Sequence, residues 1–441
     1  MTQHRLLIGA ILAVGTATIS FVAAVGSAPA TISNSDLALI GGVIRFVEQN
    51  YVRPVGSDEL TKDALKGMLS RLDPHSDYMD EQEFKESQGS ISGKFGGVGM
   101  ELSEQNGVPK IIAPIDGTPA ARAGIQPGDL IVLIGSLSTS GMGLGKVVNL
   151  LRGAPGTTVT ITVSRGENPP FEVTLTREIV QVQSVKSNLE PNGVGYIRII
   201  QFTDETPESF KKAVNDLKDK AGGHLKGLVL DLRNDPGGLL SASIDVAGNF
   251  LEGGQIVSIR GRNSGGEQTF KAPPHRDLIP GTPIVVLING ASASASEIVA
   301  GALQDRHRAI VMGTQSFGKG SVQTIIPLKG HGALRLTTAL YFTPSGRSIQ
   351  DEGITPDVVA EAPKDQQVPG AVLLRESALN GAFANPGSFV GGSEKARKTG
   401  SQRPSPADRA AVSAPIKANL IGSADDGQLK AALSYLDHAR Y

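Results

Sequence analysis

The chain has 441 residues, with 42 Lys and Arg against 43 Asp and Glu, 39% hydrophobic residues, 54 Gly and neither Cys nor Trp. That length has room for two or three domains with separate cores, and a formal net charge of -1 excludes a global field drawing in nucleic acid or anionic membrane. The missing cysteine excludes disulfides, thiol catalysis and a lipid-modified N-terminal cysteine, while leaving the compartment open.

The N-terminus speaks to the compartment. Residues 1–5 are short and basic, 6–25 almost wholly apolar or small, and Ala28-Pro29-Ala30 is A-x-A-like, the layout of an export signal. An apolar run of about 20 residues also reaches the length of a membrane span. Residues 1–30 therefore read as a signal peptide or an uncleaved anchor, with the remainder in the periplasm or cell envelope. Residues 31–93 form a helical segment. Leu37, Ile40, Val43 and Val47 recur at three- and four-residue steps, and Leu60, Ala64, Leu65, Met68 and Leu72 repeat the pattern after Pro54. His75, just past Leu72-Asp73-Pro74, reads as an ordinary loop residue, because no second His or Cys lies at metal-ligand spacing. No metal site is expected.

Residues 94–178 change character. Glycines and short β runs dominate, at 97–102, 109–115, 130–134, 157–164 and 171–176, with helical pieces only near 120–124 and 146–151. This suits a small, partly open β-barrel. Residues 179–361 return to an α/β alternation. Thr206-Pro207-Glu208 supplies a cap, a proline at the first helical position and an early acid, and Phe210, Val214 and Leu217 share a helical face. A buried strand at 227–232 precedes Arg233-Asn234-Asp235-Pro236-Gly237-Gly238 and a helix near 239–250. Another at 283–288 precedes a small-residue turn, 291–296, and a helix from 297. A third, 309–312, ends in a glycine-rich loop, 313–320.

In open α/β sheets, reactive groups sit beyond the carboxyl ends of strands. Ser292, Ser294, Ser296 and Lys319 occupy such places. Taken singly, a serine at a helix start is a cap or turn residue, and a lysine in a glycine loop is solvated. Taken together they offer a hydroxyl and an amine, and neither a His-containing triad spacing nor a G-x-S-x-G elbow supplies a different base. An amine titrating near about 10.4 is protonated at neutral pH, but burial in apolar surroundings lowers that value and frees the lone pair. Gly313, Gly318 and Lys319 also fit the start of a phosphate-cradling loop. Gly320 stands where that loop needs Ser or Thr, and 322–328 reads as a strand, so no nucleotide or other cofactor is expected.

NGASASASEIVAGALQD followed by FGKGSVQ resembles the signature of the C-terminal-processing peptidases, also called tail-specific proteases. YVRPVGSDELTKDALKGMLSRLDPHSDYMDEQEF is similar to their helical segment, and TPAARAGIQPGDLIVLIG with LLRGAPGTTVTITVSR resembles their PDZ domain. One departure is 136–145, a Gly- and Ser-rich run where a polar turn is usual. The resemblance runs from Ile40 to Glu361. It implies a multidomain α/β (α+β) protein, with a crotonase-like serine protease core, an inserted PDZ β-barrel and an N-terminal helical segment. It further implies Ser294 as nucleophile, Lys319 as general base and Gln323 as the group that holds the lysine. It also implies an oxyanion hole formed by the N–H of Ala295 and a glycine of the 237–238 pair, assigned to Gly238.

In the PDZ domain, Gly97, Val98, Gly99 and Met100 are the expected nest for a substrate's terminal carboxylate. Arg152 is the expected sensor of an occupied groove, set against the ordinary reading of a C-terminal helix cap. Asp231, Arg233 and Asp235 read as loop-fixing ion pairs. The implied partners are proteins with free C-terminal tails, an adaptor or activator protein, and a second copy of the chain, with no nucleic acid. Two alternatives stand beside this reading, a catalytically silent PDZ adaptor and a hydrolase using His307 with Asp305. Residues 362–441 read as a tail, with a low-complexity linker over 385–406 and helical spacing over 425–436.

Overall fold

The computed structural model describes residues 32–438 apart from 106, 116, 182, 263–266, 368–374 and 387–415. The expected export segment and most of the expected linker lie outside these residues. The chain divides into two units, Met1–Ser57 and Asp58–Tyr441. In the first, Ser33 Oγ accepts the Asp36 N–H and starts the helix Asn34–Asn50. No residue of that helix is buried, and its apolar residues Leu37, Ile40, Val43 and Phe46 are exposed. Among the described residues no helix is long and apolar enough to cross a membrane.

The second unit is built on a six-stranded sheet in the order Val185–Leu189, Val194–Ile199, Gly227–Asp231, Ile284–Ile288, Ile310–Gly313 and Val358–Val359. Only its first pair is antiparallel. Every residue of Gly227–Asp231 and Ile284–Ile288 is buried, as continuous Val, Leu and Ile runs require when helices cover both faces. On one face lie the helices Thr206–Lys220, Leu240–Gly248 and Ala295–Asp305, joined in a core with Phe210, Val246 and Val299. On the other, Leu429, Ala432 and Leu436 of the helix Gly427–His438 pack against Val229, Val285 and Met312. The chain's expected tail thus supplies a layer of the core. The first helix is capped at Glu205 rather than Thr206, whose hydroxyl instead accepts the Thr203 N–H at 2.8 Å from within the first turn.

A second sheet runs Asp77–Met79, Ala333–Phe342, Gln255–Gly261, Glu267–Lys271, with Ser321–Pro327 also on Ala333–Phe342. Its first strand comes from the N-terminal helical segment, so residues 77–79 belong to the core as well. Between these pieces, strands Met100–Gln105, Val108–Pro114, Leu130–Ile134, Thr158–Ser164 and Phe171–Thr176 form a separate sheet in chain order. It closes over Ile111, Ile131, Val147, Ile161 and Leu175. A two-stranded ribbon, Lys94–Gly97 with Glu178–Gln181, joins its entry to its exit. An inserted domain with its own core is the result.

Candidate active site

The turn after Ile284–Ile288 is built by its serines in different ways. Ser292 Oγ accepts the Asn289 N–H at 3.0 Å and donates to Leu232 O at 2.7 Å, while Ser296 Oγ donates to Asp235 O at 3.1 Å. Both flanking hydroxyls are therefore structural. Ser294 sits at φ 58 and ψ -112, just ahead of the helix Ala295–Asp305. A non-glycine residue holds such a backbone at a cost of about 1–3 kcal/mol, and only when its surroundings impose it. Its Oγ accepts a hydrogen bond from Tyr341 Oη at 2.9 Å. Burial raises the Tyr341 phenol well above its ordinary value, so it stays a donor.

Glu297 imposes much of that geometry. Its Oε2 accepts the N–H of Ser294 at 2.7 Å and of Lys319 at 3.0 Å, and its Oε1 accepts Gly318 N–H at 2.7 Å and Ser316 Oγ at 2.6 Å. Burial pushes its carboxyl up to about 7, against the pull of these four donors. Four donors with no acceptor suit a carboxylate. One fully buried acid therefore ties the serine's turn to the lysine's loop.

That loop is also fixed by Phe317 N–H on Ser292 O, Gly320 N–H on Gln350 Oε1, and Tyr341 N–H on Gly320 O. Burial holds the Lys319 amine below its ordinary value. Glu376, Glu297 and Asp73 oppose that effect, and Arg335 adds to it. Among the described residues, Lys319 Nζ is hydrogen-bonded to neither Ser294 nor Gln323. Gln323 Nε2 instead donates to Ser321 Oγ at 3.0 Å and Thr337 Oγ1 at 3.3 Å, and Thr337 Oγ1 donates to Asp73 Oδ1 at 3.0 Å. The expected chain through Ser294, Lys319 and Gln323 is open in this conformation.

The glycine pair reaches the serine from the neighbouring strand. Gly237 has φ 95, and a Cβ there would lie 2.6 Å from Ala293 O and 2.8 Å from Ser294 Cβ. Only glycine permits this approach. Its N–H is taken by Asp235 Oδ1 at 2.8 Å, whereas the N–H groups of Gly238 and Ala295 have no partner among the described residues. Among the described residues Asp235 is not part of an ion pair. Its carbonyl accepts the Ala293 N–H at 3.0 Å, its Oδ2 is buried without a partner, and burial pushes its carboxyl up to about 8. Arg233 does form the expected pair with Asp231 and adds one with Asp426, all fully buried; Gln428 Oε1 takes a further Arg233 N–H at 3.0 Å. Asp305 is engaged by Arg347 and the Ser345 N–H, away from this constellation.

In the inserted domain, Gly97 ends one strand and Met100 begins the next. The carbonyl of Val98 accepts Ala120 N–H, and that of Gly99 accepts Ile115 N–H and Thr118 Oγ1. The N–H groups of Val98 and Gly99 have no partner among the described residues. Arg152 places its guanidinium over the Phe95 ring at 4.5 Å, with Nε buried and unpartnered. Only its backbone N–H closes the helix Leu144–Leu151, whose last carbonyls are taken by Arg177 instead. Sequence reasoning missed Arg177, Tyr341, Glu297 and Glu376. Of these, Glu297 carried a signal, since an acid three residues past a serine is a capping-box pattern.

Residues 193–360 match the model of peptidase family S41, 110–165 that of a PDZ domain, and 21–83 that of the activating protease CtpB N-terminal domain. The chain is 49% identical over 348 residues to the carboxy-terminal-processing protease of Bartonella bacilliformis, covering 78% of this chain and 80% of that protein. It is 33% identical over 345 residues to the carboxy-terminal processing protease CtpA of Bacillus subtilis, covering 78% and 73%. Among solved structures it is similar to a photosystem II D1 C-terminal processing protease, at 29% identity and a TM-score of 0.45, over 75% of this chain and 94% of that one. On the matches to the family models and to these two relatives, the chain belongs to peptidase family S41, the carboxy-terminal-processing serine proteases, and carries a PDZ domain.

Proposed function

We propose that the protein is an exported endopeptidase in which Ser294 and Lys319 act as a dyad, and that its PDZ domain recruits substrates by their free C-terminal tails. The observation that carries this reading is the joint anchoring of the two loops by Glu297, which fixes the Ser294 and Lys319 backbones on one carboxylate while the half-buried lysine's amine is held below its ordinary value. A buried amine loses its proton more readily. In the working conformer neutral Lys319 Nζ takes the proton of Ser294 Oγ, and Oγ adds to the scissile carbonyl. The unpartnered N–H groups of Gly238 and Ala295 receive the oxyanion, each worth about 3 kcal/mol. The ammonium then protonates the leaving amine, and the neutral amine deprotonates the water that hydrolyses the acyl-enzyme. Gln323 holds the amine once its side chain leaves Ser321 and Thr337.

Tyr341 supports the same direction of proton flow. By donating to Oγ it leaves that oxygen's own hydrogen free for the base. The unpartnered N–H groups of Val98 and Gly99 suit a terminal carboxylate, with Met100 opening the strand a peptide extends. In this reading Arg152, stacked on Phe95 in the same strand as Gly97, senses the peptide. Export to the periplasm or envelope, an activator partner and self-association complete the reading.

The test is cleavage of an unstructured protein ending in apolar residues by the wild type, Ser294→Ala, Lys319→Ala and His307→Ala. Loss of products in the first two variants, with folding intact by circular dichroism, is expected. A folded, active Lys319→Ala enzyme refutes the dyad, and cleavage by none of the four, wild type included, favours the silent adaptor.

A further inference from the structure

Residues 375–386 lie beyond the segment that matches the protease family, yet they lie on the lysine's loop. Glu376 N–H donates to Phe317 O at 3.2 Å, and Arg375 Nη1 donates to Gln315 Oε1 at 3.3 Å. The Glu376 carboxylate is fully buried. It receives Gln350 Nε2 at 3.0 Å and lies 2.9 and 3.0 Å from His75 Nε2. Gln350 Nε2 also reaches Phe383 O at 3.1 Å, and its Oε1 accepts the Gly320 N–H at 3.0 Å. An unbroken chain of contacts thus runs from His75 through Glu376 and Gln350 to Gly320, the residue after Lys319.

We propose that Glu376 is a positioning residue of the active site, fixing the backbone at Gly320 through Gln350 and setting its negative charge among those that act on the Lys319 amine. The inference rests on the dyad reading above. The charges that act on the amine are those of Glu376, Glu297, Asp73 and Arg335, with Glu376 the strongest of them. A carboxylate favours the ammonium, so Glu376 opposes burial and keeps the base from becoming too weak to accept a proton. His75 closes the chain on the other side and ties it to the strand that the N-terminal segment lends to the core.

The experiment is the pH profile of kcat/KM for full-length wild type, Glu376→Gln, Gln350→Ala and Lys319→Ala on one fluorogenic peptide, with Tm measured in parallel. Glu376→Gln keeps the shape and removes the charge, so the acidic limb is expected to move to lower pH by about 1 unit. Gln350→Ala keeps the charge and cuts the link, so its limb stays in place while kcat falls about 10-fold at constant KM. A limb in Glu376→Gln that stays put or moves to higher pH overturns the proposal. Should that variant not fold, an unchanged kcat in Gln350→Ala overturns it. An active Lys319→Ala enzyme brings down the dyad instead, which distinguishes the two failures.

Discussion

The glycine loops at 237–238 in the protease core and 97–99 in the PDZ domain are held by opposite means. In the core, Asp235 grips both ends of the turn, and behind it Arg233 is sandwiched between Asp231 and Asp426 with no exposure. In the PDZ domain the loop's carbonyls rest on backbone and hydroxyl donors, and the Arg152 guanidinium stacks on Phe95. Buried charges are costly to misplace, so they specify one geometry. A loop hung by its carbonyls can yield a little while presenting its N–H groups. On the proposed function, the first arrangement suits donors that must meet a transient oxyanion, and the second suits a cradle meeting tails of differing sequence.

That contrast breaks most visibly at Asp426. Asp426→Ala leaves the Arg233 guanidinium buried and half-paired, and should cost about 3–5 kcal/mol in urea unfolding. Replacing Asp231, Arg233 and Asp426 together by apolar residues of similar volume should recover part of that loss. Next in size, Glu297→Ala removes the acceptor shared by Ser294, Ser316, Gly318 and Lys319. We expect kcat to fall about 100-fold from misplacement alone. Glu297→Gln should rescue little, because its amide turns donors toward donors. A kcat within a few-fold of wild type in either variant would contradict the anchoring role.

A smaller effect is expected in the PDZ loop. Gly99 has φ 75, and a Cβ would press into Thr118, so Gly99→Ala must shift the cradle. KM for a tail-bearing protein should rise about 10-fold, while cleavage of a short untailed peptide should hold. Equal effects on both substrates would remove the cradle from this loop. Smallest is Asp235→Asn. The acid's folded value, about 8, exceeds its unfolded one, so wild-type stability declines as pH rises from about 4 to 8, where only the unfolded chain releases the proton. The isosteric amide still accepts the Gly237 N–H and removes that dependence. Its Tm should exceed wild type by about 2–4 °C at pH 8 and match it near pH 4.

Much of this was legible in the residues. Gly227–Asp231 and Ile284–Ile288 announce themselves as uninterrupted aliphatic runs, and the turns after them carry the serine and the glycines in plain view. What stayed hidden is contact between distant positions. Tyr341 meets Ser294 across 47 residues and Glu376 meets His75 across 301, and no local period encodes such pairs. His75 looked idle because its partner is a carboxylate far along the chain rather than a second metal ligand. The last helix had the right spacing, but only packing against Val229 and Val285 makes it a layer of the core.

The long reach of Arg233 to Asp426, 193 residues apart, also sets an order of events in synthesis. The PDZ insertion, its ends zipped by a ribbon and its core self-contained, has everything it needs early. The proposed cutting centre does not, because the clasp behind its glycine turn waits for a partner 193 residues further along. On the proposed function, a chain emerging from N- to C-terminus therefore acquires the means to hold a substrate well before the means to cleave one.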